Sequence, residues 1–349
     1  MNTYYKEPGV IVRYEGNPII SPKDIPYPCD LVYNPAACKL GDKYALILRI
    51  ENNIEKDTSK FRQCLMLALS DDGYNFEIEK DPILFPLPDE YGKCNDPRVT
   101  YIDGWYYLCY CSDPDPYYYN DQTGGAEKYE GIYLCIAKSK DLHNWERVYK
   151  SEPDNRNAVI FPEKINGLYA RLDRPFRRGY REQAGHDIWI SYSPDMEFWG
   201  KHDMILSYKE VEWAKEKIGA AAPPIKTDKG WLVLFHGAEF LDPFPDPNGH
   251  YEEWKWMGKP EGFGMVYRCG VMLLDLNDPT KILGRYKNPI MEINAPYEKD
   301  TYYRPNVVFP CGIIPEDNGE VKIYYGASDT HIAVATAKID ELVKLCLEG

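Results

Sequence analysis

Short runs of apolar and aromatic residues recur along the chain, and each run follows a glycine that marks a turn. The first four of these glycines, Gly41, Gly104, Gly167 and Gly230, are spaced 63 residues apart, and a fifth, Gly319, follows after 89. Aromatic and β-branched residues that follow a turn predict a β-strand. Their repetition at a fixed period predicts an array of similar structural units.

Two further strands flank each run. The preceding strand starts with a polar residue in four of the five units, at Asn34, Asp96, Asn157 and Asn306, whereas the fourth unit has Ala221 there. The following strand ends in a Ser-Asp type of turn and an aromatic residue, as in residues 67–76, 136–145 and 190–199. Three or four strands per unit are typical of propeller blades, which stack around a common axis. The sequence therefore predicts an all-β five-bladed β-propeller; the even spacing disfavours the alternatives, a sandwich or a pair of β domains.

We expect residues 1–349 to form one domain. The longer interval before the fifth glycine contains a stretch rich in Pro, Trp and Glu, residues 240–262, which we interpret as an inserted loop that covers the site. Helix is scarce. Residues 212–217 predict one short helix, and Ile339–Leu347 predicts another at the C-terminus.

Composition limits the classes of function. The net charge of -14 excludes a general nucleic-acid binder, because phosphate backbones require a basic surface. No apolar run reaches the roughly 20 residues of a membrane span, so we expect no membrane partner. The ten cysteines form no CxxC pair and the first residues do not resemble a signal peptide. We therefore expect reduced thiols, a cytoplasmic location and no metal site.

Candidate site residues occupy positions that face the axis of a propeller. Equivalent places in the five units carry unlike polar residues, which a purely structural repeat does not require. They are Asn34, Arg49 and Glu51; Asp96 and Arg98; Arg156, Asn157, Arg171, Asp173 and Arg174; Lys217 and His236; and Arg304, Asn306 and Asp329.

Two subsets of these residues indicate chemistry. Arg156, Arg174, Lys217 and His236 form a cationic group in an acidic chain, and such side chains bind phosphate or carboxylate. The alternative is that each arginine belongs to a structural salt bridge. The second subset comprises the carboxylates Asp96, Asp329 and Glu51, and glycoside cleavage commonly uses two carboxylates. The alternative for Asp96-Pro97 is a simple turn, which is the commoner role of an Asp-Pro dipeptide.

Aromatic residues are dense around Tyr101–Tyr119 and Trp254–Tyr267. Such rings stack on sugars, although packing between blades explains most of them equally well. The histidines at 143, 186, 202, 250 and 331 lack metal-binding spacing, and we interpret them as non-catalytic. No phosphate-binding glycine loop is present.

Eight separated strings resemble glycoside hydrolase family 130, the mannoside phosphorylases and related β-mannosidases, over residues 12–349. They are Asp-Pro-Arg at 96–98, Asn-Arg-Asn-Ala-Val-Ile-Phe-Pro at 155–162, Arg-Pro at 174–175, Ser-Pro-Asp-Met at 193–196, Lys-Ile-Gly-Ala at 217–220, Gly-Trp-Leu-Val-Leu-Phe-His-Gly at 230–237, Asn-Val-Val-Phe-Pro-Cys at 306–311 and Ile-Tyr-Tyr-Gly-Ala-Ser-Asp-Thr at 323–330. The five-bladed fold of that family agrees with the number of repeats.

The resemblance implies a role for each matching residue. Asp96 corresponds to the catalytic acid. The phosphate ligands correspond to Arg156, Asn157, Arg174, Lys217, His236 and Tyr267, and the residues that hold the mannosyl unit to Asn34, Arg49 and Asp329. From their positions near the axis, we add Glu51, Arg98 and Asn306 as candidate substrate ligands.

The implied activity is a glycosyltransferase-type, inverting phosphorolysis of a terminal β-mannosidic bond. It yields α-mannose 1-phosphate and a shortened acceptor, with inorganic phosphate as co-substrate and no cofactor. The small-molecule partners are a mannoside or manno-oligosaccharide and phosphate; self-association is left open. We expect a raised pKa at Asp96, so that it starts protonated, and the resemblance implies that its proton passes through the mannose 3-hydroxyl.

Two alternatives remain. One is a β-mannosidase that uses water, with Glu51 or Asp329 as base, and the other is a non-catalytic mannoside-binding propeller. Retention of every basic phosphate ligand favours phosphorolysis. The chain departs from the family pattern in the longer loop before Tyr267 and at residues 177–186, which leaves the acceptor sugar and the linkage open.

Overall fold

Five antiparallel sheets account for the strands of the computed structural model, which describes residues 5–52, 63–87, 93–112, 132–175, 186–240, 264–300 and 302–349. The predicted insertion at 240–262 lies outside these residues except for Phe240, and so do residues 177–185. Each sheet is one blade, so the predicted five-bladed propeller is confirmed. The extent of the domain over residues 1–349 stays a prediction.

The blades follow one another along the chain. The strands are β1 (Val12–Arg13), β2 (Leu31–Leu40), β3 (Lys43–Glu51), β4 (Gln63–Ser70), β5 (Glu77–Ile78), β6 (Asn95–Ile102), β7 (Trp105–Ser112), β8 (Tyr133–Ser139), β9 (Glu146–Lys150), β10 (Asn155–Ile160), β11 (Tyr169–Pro175), β12 (Ile188–Ser193), β13 (Gly200–Leu206), β14 (Lys217–Ala220), β15 (Ile225–Lys226), β16 (Trp231–Phe240), β17 (Met265–Leu274), β18 (Ile282–Arg285), β19 (Val308–Pro315), β20 (Glu320–Ala327) and β21 (His331–Lys338). The sheet orders are β2-β3-β4-β5, β6-β7-β8-β9, β10-β11-β12-β13, β14-β16-β17-β18 with β15 beside β16, and β19-β20-β21-β1.

The repeated glycines mark the turn before the second long strand of each blade. Gly41, Gly104, Gly167 and Gly319 have φ angles of 59°, 74°, 82° and 76°. A side chain is unfavourable in this left-handed region, which explains why the turn uses glycine in unit after unit. The 63-residue period is therefore the distance between equivalent hairpins.

The N-terminal strand closes the ring. β1 pairs with β21, with Val12 opposite Thr336 and Arg13 opposite Ala335. The fifth blade is thus built from both ends of the described chain. A helix, α1 (Ile339–Glu348), follows β21 as predicted and buries Leu342, Val343 and Cys346. Among the described residues, no helix is long and apolar enough to cross a membrane.

The helix predicted at residues 212–217 is wrong. The segment forms a turn, and Lys217 already begins β14. Trp213 is the reason, because its ring is fully buried and stacks on Phe235 with centroids 5.5 Å apart. Its indole nitrogen donates to the Lys287 carbonyl at 3.0 Å. Burial of this large side chain against the fourth blade outweighs the weak helical preference of a short polar segment.

The innermost strands carry a distortion that directs side chains to the axis. Asn34, Asp96, Asn157 and Asn306 all have left-handed backbone conformations, with φ between 49° and 62°. At the first three, the pairing of the strand skips residues and forms a bulge. Asn and Asp tolerate this conformation better than other non-glycine residues, and bulges re-aim side chains beside functional sites. This requirement explains the polar residue at the start of the strand in four of the five units.

Candidate active site at the propeller axis

A cavity of about 280 Å³ opens where the innermost strands begin. All five blades or the segments beside them contribute to it. Its lining comprises Tyr33, Asn34, Arg49, Lys93, Asn95, Asp96, Arg156, Asn157, Arg174, Lys217, His236, Tyr267, Tyr303, Arg304, Val307, Phe309 and Asp329. Eleven of the sixteen candidate residues are among them.

Asp96 lies in the wall of this cavity and is almost completely buried. Its Oδ1 accepts hydrogen bonds from Asn34 Nδ2 at 2.8 Å and from Arg49 Nη1 at 2.7 Å. Its Oδ2 lies 3.8 Å from Arg156 Nη2. The left-handed bulges at Asn34 and Asp96 bring these two side chains together from neighbouring blades.

The expected raised pKa of Asp96 is wrong for the protein without ligand. Burial raises the pKa, but the positive charges of Arg49, Arg98 and Arg156 outweigh burial and hold it well below the usual range. Nearby opposite charge favours the ionised form of a carboxyl group. Asp96 is therefore a carboxylate before any substrate binds.

One side of the cavity is cationic. Arg156, Arg174 and Lys217 contribute positive charge there, and no ion pair joins Arg174 or Lys217 to a carboxylate in the described part of the chain. Burial lowers the pKa of Arg174 to about 9, and repulsion from Arg156 adds to the effect. For Lys217, burial and the charges of Arg174 and Arg156 outweigh the influence of Tyr267 and lower the pKa. The positive charges of Arg174 and Lys217 are therefore not offset by a carboxylate within the described residues.

His236 is uncharged, which corrects the expectation of a potentially cationic side chain. Its Nε2 lies 3.0 Å from Asn157 Nδ2 and 3.3 Å from Arg174 Nη1. Arg156 Nε donates to Asn157 Oδ1 at 3.2 Å, which leaves the Asn157 amide nitrogen facing the histidine. Two donors therefore point at Nε2, which must accept. Burial and the charges of Arg174 and Arg98 hold the pKa of His236 well below 6.5.

The opposite side of the cavity holds paired charges. Arg304 Nη1 donates to Asp329 Oδ2 at 2.9 Å. Burial raises the pKa of Asp329 despite the nearby Arg304 and Arg49. Tyr267 lies between the two sides, where Lys217 and Arg304 lower its pKa against the effect of burial. The cavity thus combines a positively charged side with a side of balanced acids and bases.

Three predicted substrate ligands, Glu51, Arg98 and Asn306, do not line the cavity. Glu51 accepts hydrogen bonds from Arg49 and Tyr33 and so acts on the site through them. Arg98 is fully buried, donating to the Asp96 carbonyl at 2.6 Å and to the Ala221 carbonyl at 2.9 Å. The backbone carbonyl of Asn306 accepts from the Tyr267 N–H at 3.0 Å. All three support residues that do line the cavity.

Two further candidates have a structural role. Arg171 donates to Asp173 at 3.0 Å, and both side chains are almost wholly buried away from the cavity. The guanidinium of Arg171 lies 4.1 Å from the ring centroid of Trp199. The salt-bridge interpretation is correct for this pair.

Six lining residues were absent from the candidates: Tyr33, Lys93, Asn95, Tyr303, Val307 and Phe309. Tyr33 and Asn95 precede the left-handed residues Asn34 and Asp96, just as Arg156 precedes Asn157. Aligning the repeats at this position would have identified both. Phe309 packs against His236, with ring centroids 4.4 Å apart, and gives no comparable signal.

The aromatic clusters are only partly within the described residues. Tyr101 is exposed and packs against Tyr106 away from the cavity, with tilted rings whose centroids are 4.8 Å apart. Residues 113–119 and 254–263 lie outside the described part. Within the described ranges, no cluster of three or more His, Cys, Asp or Glu is arranged to hold a metal ion.

A propeller whose axial cavity places cations beside a buried carboxylate has the arrangement of an active site that binds an anion next to an acid or base. A sequence model of glycoside hydrolase family 130, described as beta-1,4-mannooligosaccharide phosphorylase, matches residues 13–348. The chain belongs to this family, which confirms the resemblance.

Relatives of known activity cover almost the whole chain. The β-1,2-mannobiose phosphorylase of Thermoanaerobacter sp. (strain X514) is 36% identical, over 95% of this chain and 98% of the relative. The β-1,4-mannooligosaccharide phosphorylase of Ruminococcus albus is 29% identical, over 96% and 90%. The solved β-1,2-mannobiose phosphorylase from Listeria innocua, in complex with β-1,2-mannobiose, superposes with a TM-score of 0.79 at 28% identity, over 97% of this chain and 99% of that one.

Proposed function

We propose that this protein is an enzyme that cleaves a terminal β-mannosidic bond with inorganic phosphate, giving α-mannose 1-phosphate and a shortened acceptor. Its similarity to mannoside phosphorylases along nearly the full chain supports phosphorolysis of β-mannosidic bonds. Net transfer of the mannosyl group to phosphate makes the reaction glycosyltransferase-type.

The observation that carries the proposal is the uncompensated positive charge of the cavity. Arg174 and Lys217 have depressed pKa values because burial and mutual repulsion disfavour their charged forms. A bound phosphate dianion would remove this cost, since guanidinium and ammonium groups form strong charge-assisted hydrogen bonds with its oxygens. If water were the nucleophile, Arg174 and Lys217 would stay buried and charged without an anion to neutralise them. The site therefore favours the phosphorylase over the β-mannosidase.

The other side of the cavity suits one sugar ring. Asn34, Arg49, Arg304 and Asp329 offer donors and acceptors for hydroxyl groups, and Tyr33 and Tyr303 supply ring faces. The cavity volume of about 280 Å³ lies just below the roughly 300–1,000 Å³ typical of ligand pockets. We infer that a terminal mannosyl unit binds there while the rest of the substrate remains outside.

In the proposed reaction, the side chains divide into two groups. Arg156, Asn157, Arg174, Lys217 and Tyr267 hold phosphate for in-line attack on the anomeric carbon, with His236 orienting Asn157 and Arg174. Asp96 supplies the proton that the leaving oxygen requires. Because an anion is the nucleophile, no carboxylate base is needed, and Asp329 is free to bind sugar.

We further propose a β-1,2 linkage for the natural substrate. The Thermoanaerobacter β-1,2-mannobiose phosphorylase is 36% identical, whereas the Ruminococcus β-1,4 enzyme is 29% identical over a similar length. The structural neighbour with a TM-score of 0.79 is also a β-1,2-mannobiose phosphorylase.

The test is to incubate the purified protein with β-1,2-mannobiose and β-1,4-mannobiose, each with and without phosphate. We expect mannose 1-phosphate from the β-1,2 disaccharide only when phosphate is present. Synthesis from mannose 1-phosphate and mannose, with the product linkage read by NMR, checks the same assignment in reverse. Mannose release at an equal rate in phosphate-free buffer would contradict phosphorolysis, and intact disaccharide under every condition would indicate a binding protein.

A cytoplasmic location also remains a proposal. Cys64, Cys109, Cys269 and Cys311 are buried thiols that form no disulfide within the described ranges. Thiols persist in reducing compartments. Fractionation of the source cells, followed by immunodetection, would test this; recovery from the medium or the periplasm would refute it.

A further inference from the structure

Arg156 contacts both groups of the proposed site. Its Nη2 lies 3.8 Å from Asp96 Oδ2, and its Nε donates to Asn157 Oδ1 at 3.2 Å. The same side chain lines the cavity beside Arg174, whose pKa it lowers by repulsion. A single guanidinium thus lies between the carboxylate that must donate a proton and the cations proposed to bind phosphate.

Without ligand, Asp96 is ionised because guanidinium groups surround it. A carboxylate cannot donate a proton, so the protein in this state lacks its acid. A bound dianion would change two interactions at once: it would compete with Asp96 for the Arg156 guanidinium, and it would bring negative charge close to the carboxylate. Like charge nearby disfavours ionisation of a carboxyl group.

We propose that bound phosphate switches on the acid by taking over the Arg156 guanidinium, so that Asp96 acquires its proton only when the nucleophile is in place. This inference rests on the proposed function. It explains how an enzyme with a general acid in an open cavity avoids hydrolysing its substrate: a mannoside that binds without phosphate meets a carboxylate and stays intact.

In the proposed reaction, one proton is taken from solvent and one is returned to it in each turnover. Asp96 takes a proton from solvent when HPO₄²⁻ binds. The bond between the anomeric carbon and the phosphate oxygen then forms as the glycosidic C–O bond breaks, and the Asp96 proton passes to the leaving oxygen. The phosphate's own proton is finally released to solvent, which leaves the mannose 1-phosphate dianion and a free acceptor hydroxyl.

Other charged or titratable groups also face Asp96 and act whether or not phosphate is bound. They are Arg49 from β3, Arg98 from β6, His236 from β16, Cys311 from β19 and Asp329 after β20. Among the groups that lower the pKa of Asp96, Arg156 is the one that belongs to the cationic side of the cavity.

The test measures protonation of Asp96 directly, by the carboxylic C=O band in infrared difference spectra of the full chain titrated with and without inorganic phosphate. The Asp96→Asn variant assigns the band, and calorimetry measures phosphate binding independently. The midpoint is the pH at which the band has half of its full intensity. In the wild type we expect phosphate to raise this midpoint by about one pH unit or more, in keeping with the pKa shifts of about 1–3 units that nearby charges cause.

Two arginine variants form a matched pair. In Arg156→Gln the phosphate-free midpoint should already be raised, and saturating phosphate should move it less than in the wild type. Arg174→Gln weakens the same anion site, but Arg174 contacts His236 and the Ile218 carbonyl rather than Asp96. Its phosphate-free midpoint and its shift at saturating phosphate should match the wild type.

The outcomes are distinct. Phosphate that binds without moving the band overturns this inference and leaves the proposed function intact. Identical midpoints in Arg156→Gln and the wild type, with and without phosphate, overturn the role of Arg156. Absence of phosphate binding to the wild type overturns the proposed function itself.

Discussion

Burial raises the pKa of Asp96 and nearby positive charge lowers it, and the effect of charge is the larger. A fully buried carboxyl group without partners would have a raised pKa. Here Arg49 and Asn34 bind Oδ1 directly, and Arg156 and Arg98 add positive charge from two directions. The residue expected to be the acid is therefore prepared as an anion, and ligand binding has to supply the conditions for its protonation.

The substitution Asp96→Asn should abolish phosphorolysis and the reverse synthesis while the fold is retained. The amide keeps an oxygen for the hydrogen bonds from Asn34 and Arg49 but cannot deliver a proton. General acid catalysis contributes on the order of 10²–10⁴-fold, so we expect kcat to fall by at least about 100-fold. Initial rates in both directions measure the effect, and circular dichroism checks the fold. A variant with wild-type turnover would remove Asp96 from the mechanism.

His236 should make the folded protein less stable as the pH falls. Its pKa in the folded state lies well below 6.5, so the unfolded chain binds more protons below about pH 6.5 and stability is lost as acid is added. The substitution His236→Gln keeps an acceptor but removes the titration. Between pH 6 and 5, its unfolding free energy should therefore fall less steeply than that of the wild type, by about 1.4 kcal/mol per pH unit.

Urea unfolding at several pH values measures this slope. His143 is a suitable control, because its contacts with Asp141 and Glu79 outweigh burial and raise its pKa. A histidine of this kind contributes stability that is fully present below its unfolded pKa and is lost as the pH rises through its raised folded pKa. His143→Gln should therefore leave the slope between pH 6 and 5 almost unchanged and remove a loss of stability above about pH 6.5. Equal effects of the two substitutions would refute the neutral state of His236.

Strand β14 differs from the other innermost strands, because its first residues pair with β16 without a bulge. Gly219 stands opposite His236 in this pairing. A Cβ at Gly219 would lie 2.6 Å from His236 Cε1 and 3.3 Å from Arg174 Nη1. The fourth blade therefore makes room for the His236 ring and the Arg174 guanidinium by having no side chain at Gly219. Three other blades instead direct side chains to the axis with a bulge.

The substitution Gly219→Ala should weaken phosphate binding more than it weakens the fold. The added methyl group would displace His236 and so disturb the orientation of Asn157 and Arg174. We expect the KM for phosphate to rise at least about tenfold, equivalent to about 1.4 kcal/mol, with a smaller effect on the KM for mannoside. Gly200→Ala is the matched control, because a Cβ there meets no atom within 4 Å. Equal KM values for the two variants would contradict this role of Gly219.

At the level of elements, the sequence was informative where structure repeats. The turn glycines predicted the hairpins and the number of blades, and the polar residues at 34, 96, 157 and 306 marked the left-handed positions. The helix predicted at residues 212–217 is wrong because burial of Trp213 depends on Phe235 in β16, a contact that the local sequence pattern does not show. The charge state of Asp96 was misread for the same reason: Arg49 and Arg156 reach it from blades on both sides.

Across the whole molecule, charge is distributed unevenly. The chain carries a net charge of -14, yet its axial cavity holds Arg174 and Lys217 without a carboxylate partner in the described part. Buried charges are paired in the network that joins β1 to the segment between β18 and β19. Arg13 Nε donates to Glu298 at 2.7 Å, and Arg13 Nη2 donates to the Glu292 carbonyl at 2.6 Å. Pairing stabilises the ring closure, whereas Arg174 and Lys217 in the cavity have no such partner within the described residues.

The substitution Arg13→Met should therefore destabilise the propeller without changing its chemistry. It leaves Glu298, whose side chain is completely buried, without its cationic partner. Loss of one member of a buried pair costs about 3–5 kcal/mol, which urea unfolding at neutral pH would measure. Lys43→Met removes an ion pair between exposed side chains, and such pairs contribute at most about 1 kcal/mol. At urea concentrations below the unfolding transition, both variants should keep the wild-type KM for phosphate, since neither residue lines the cavity. Equal losses of stability in the two variants would show that closure of the ring does not depend on Arg13.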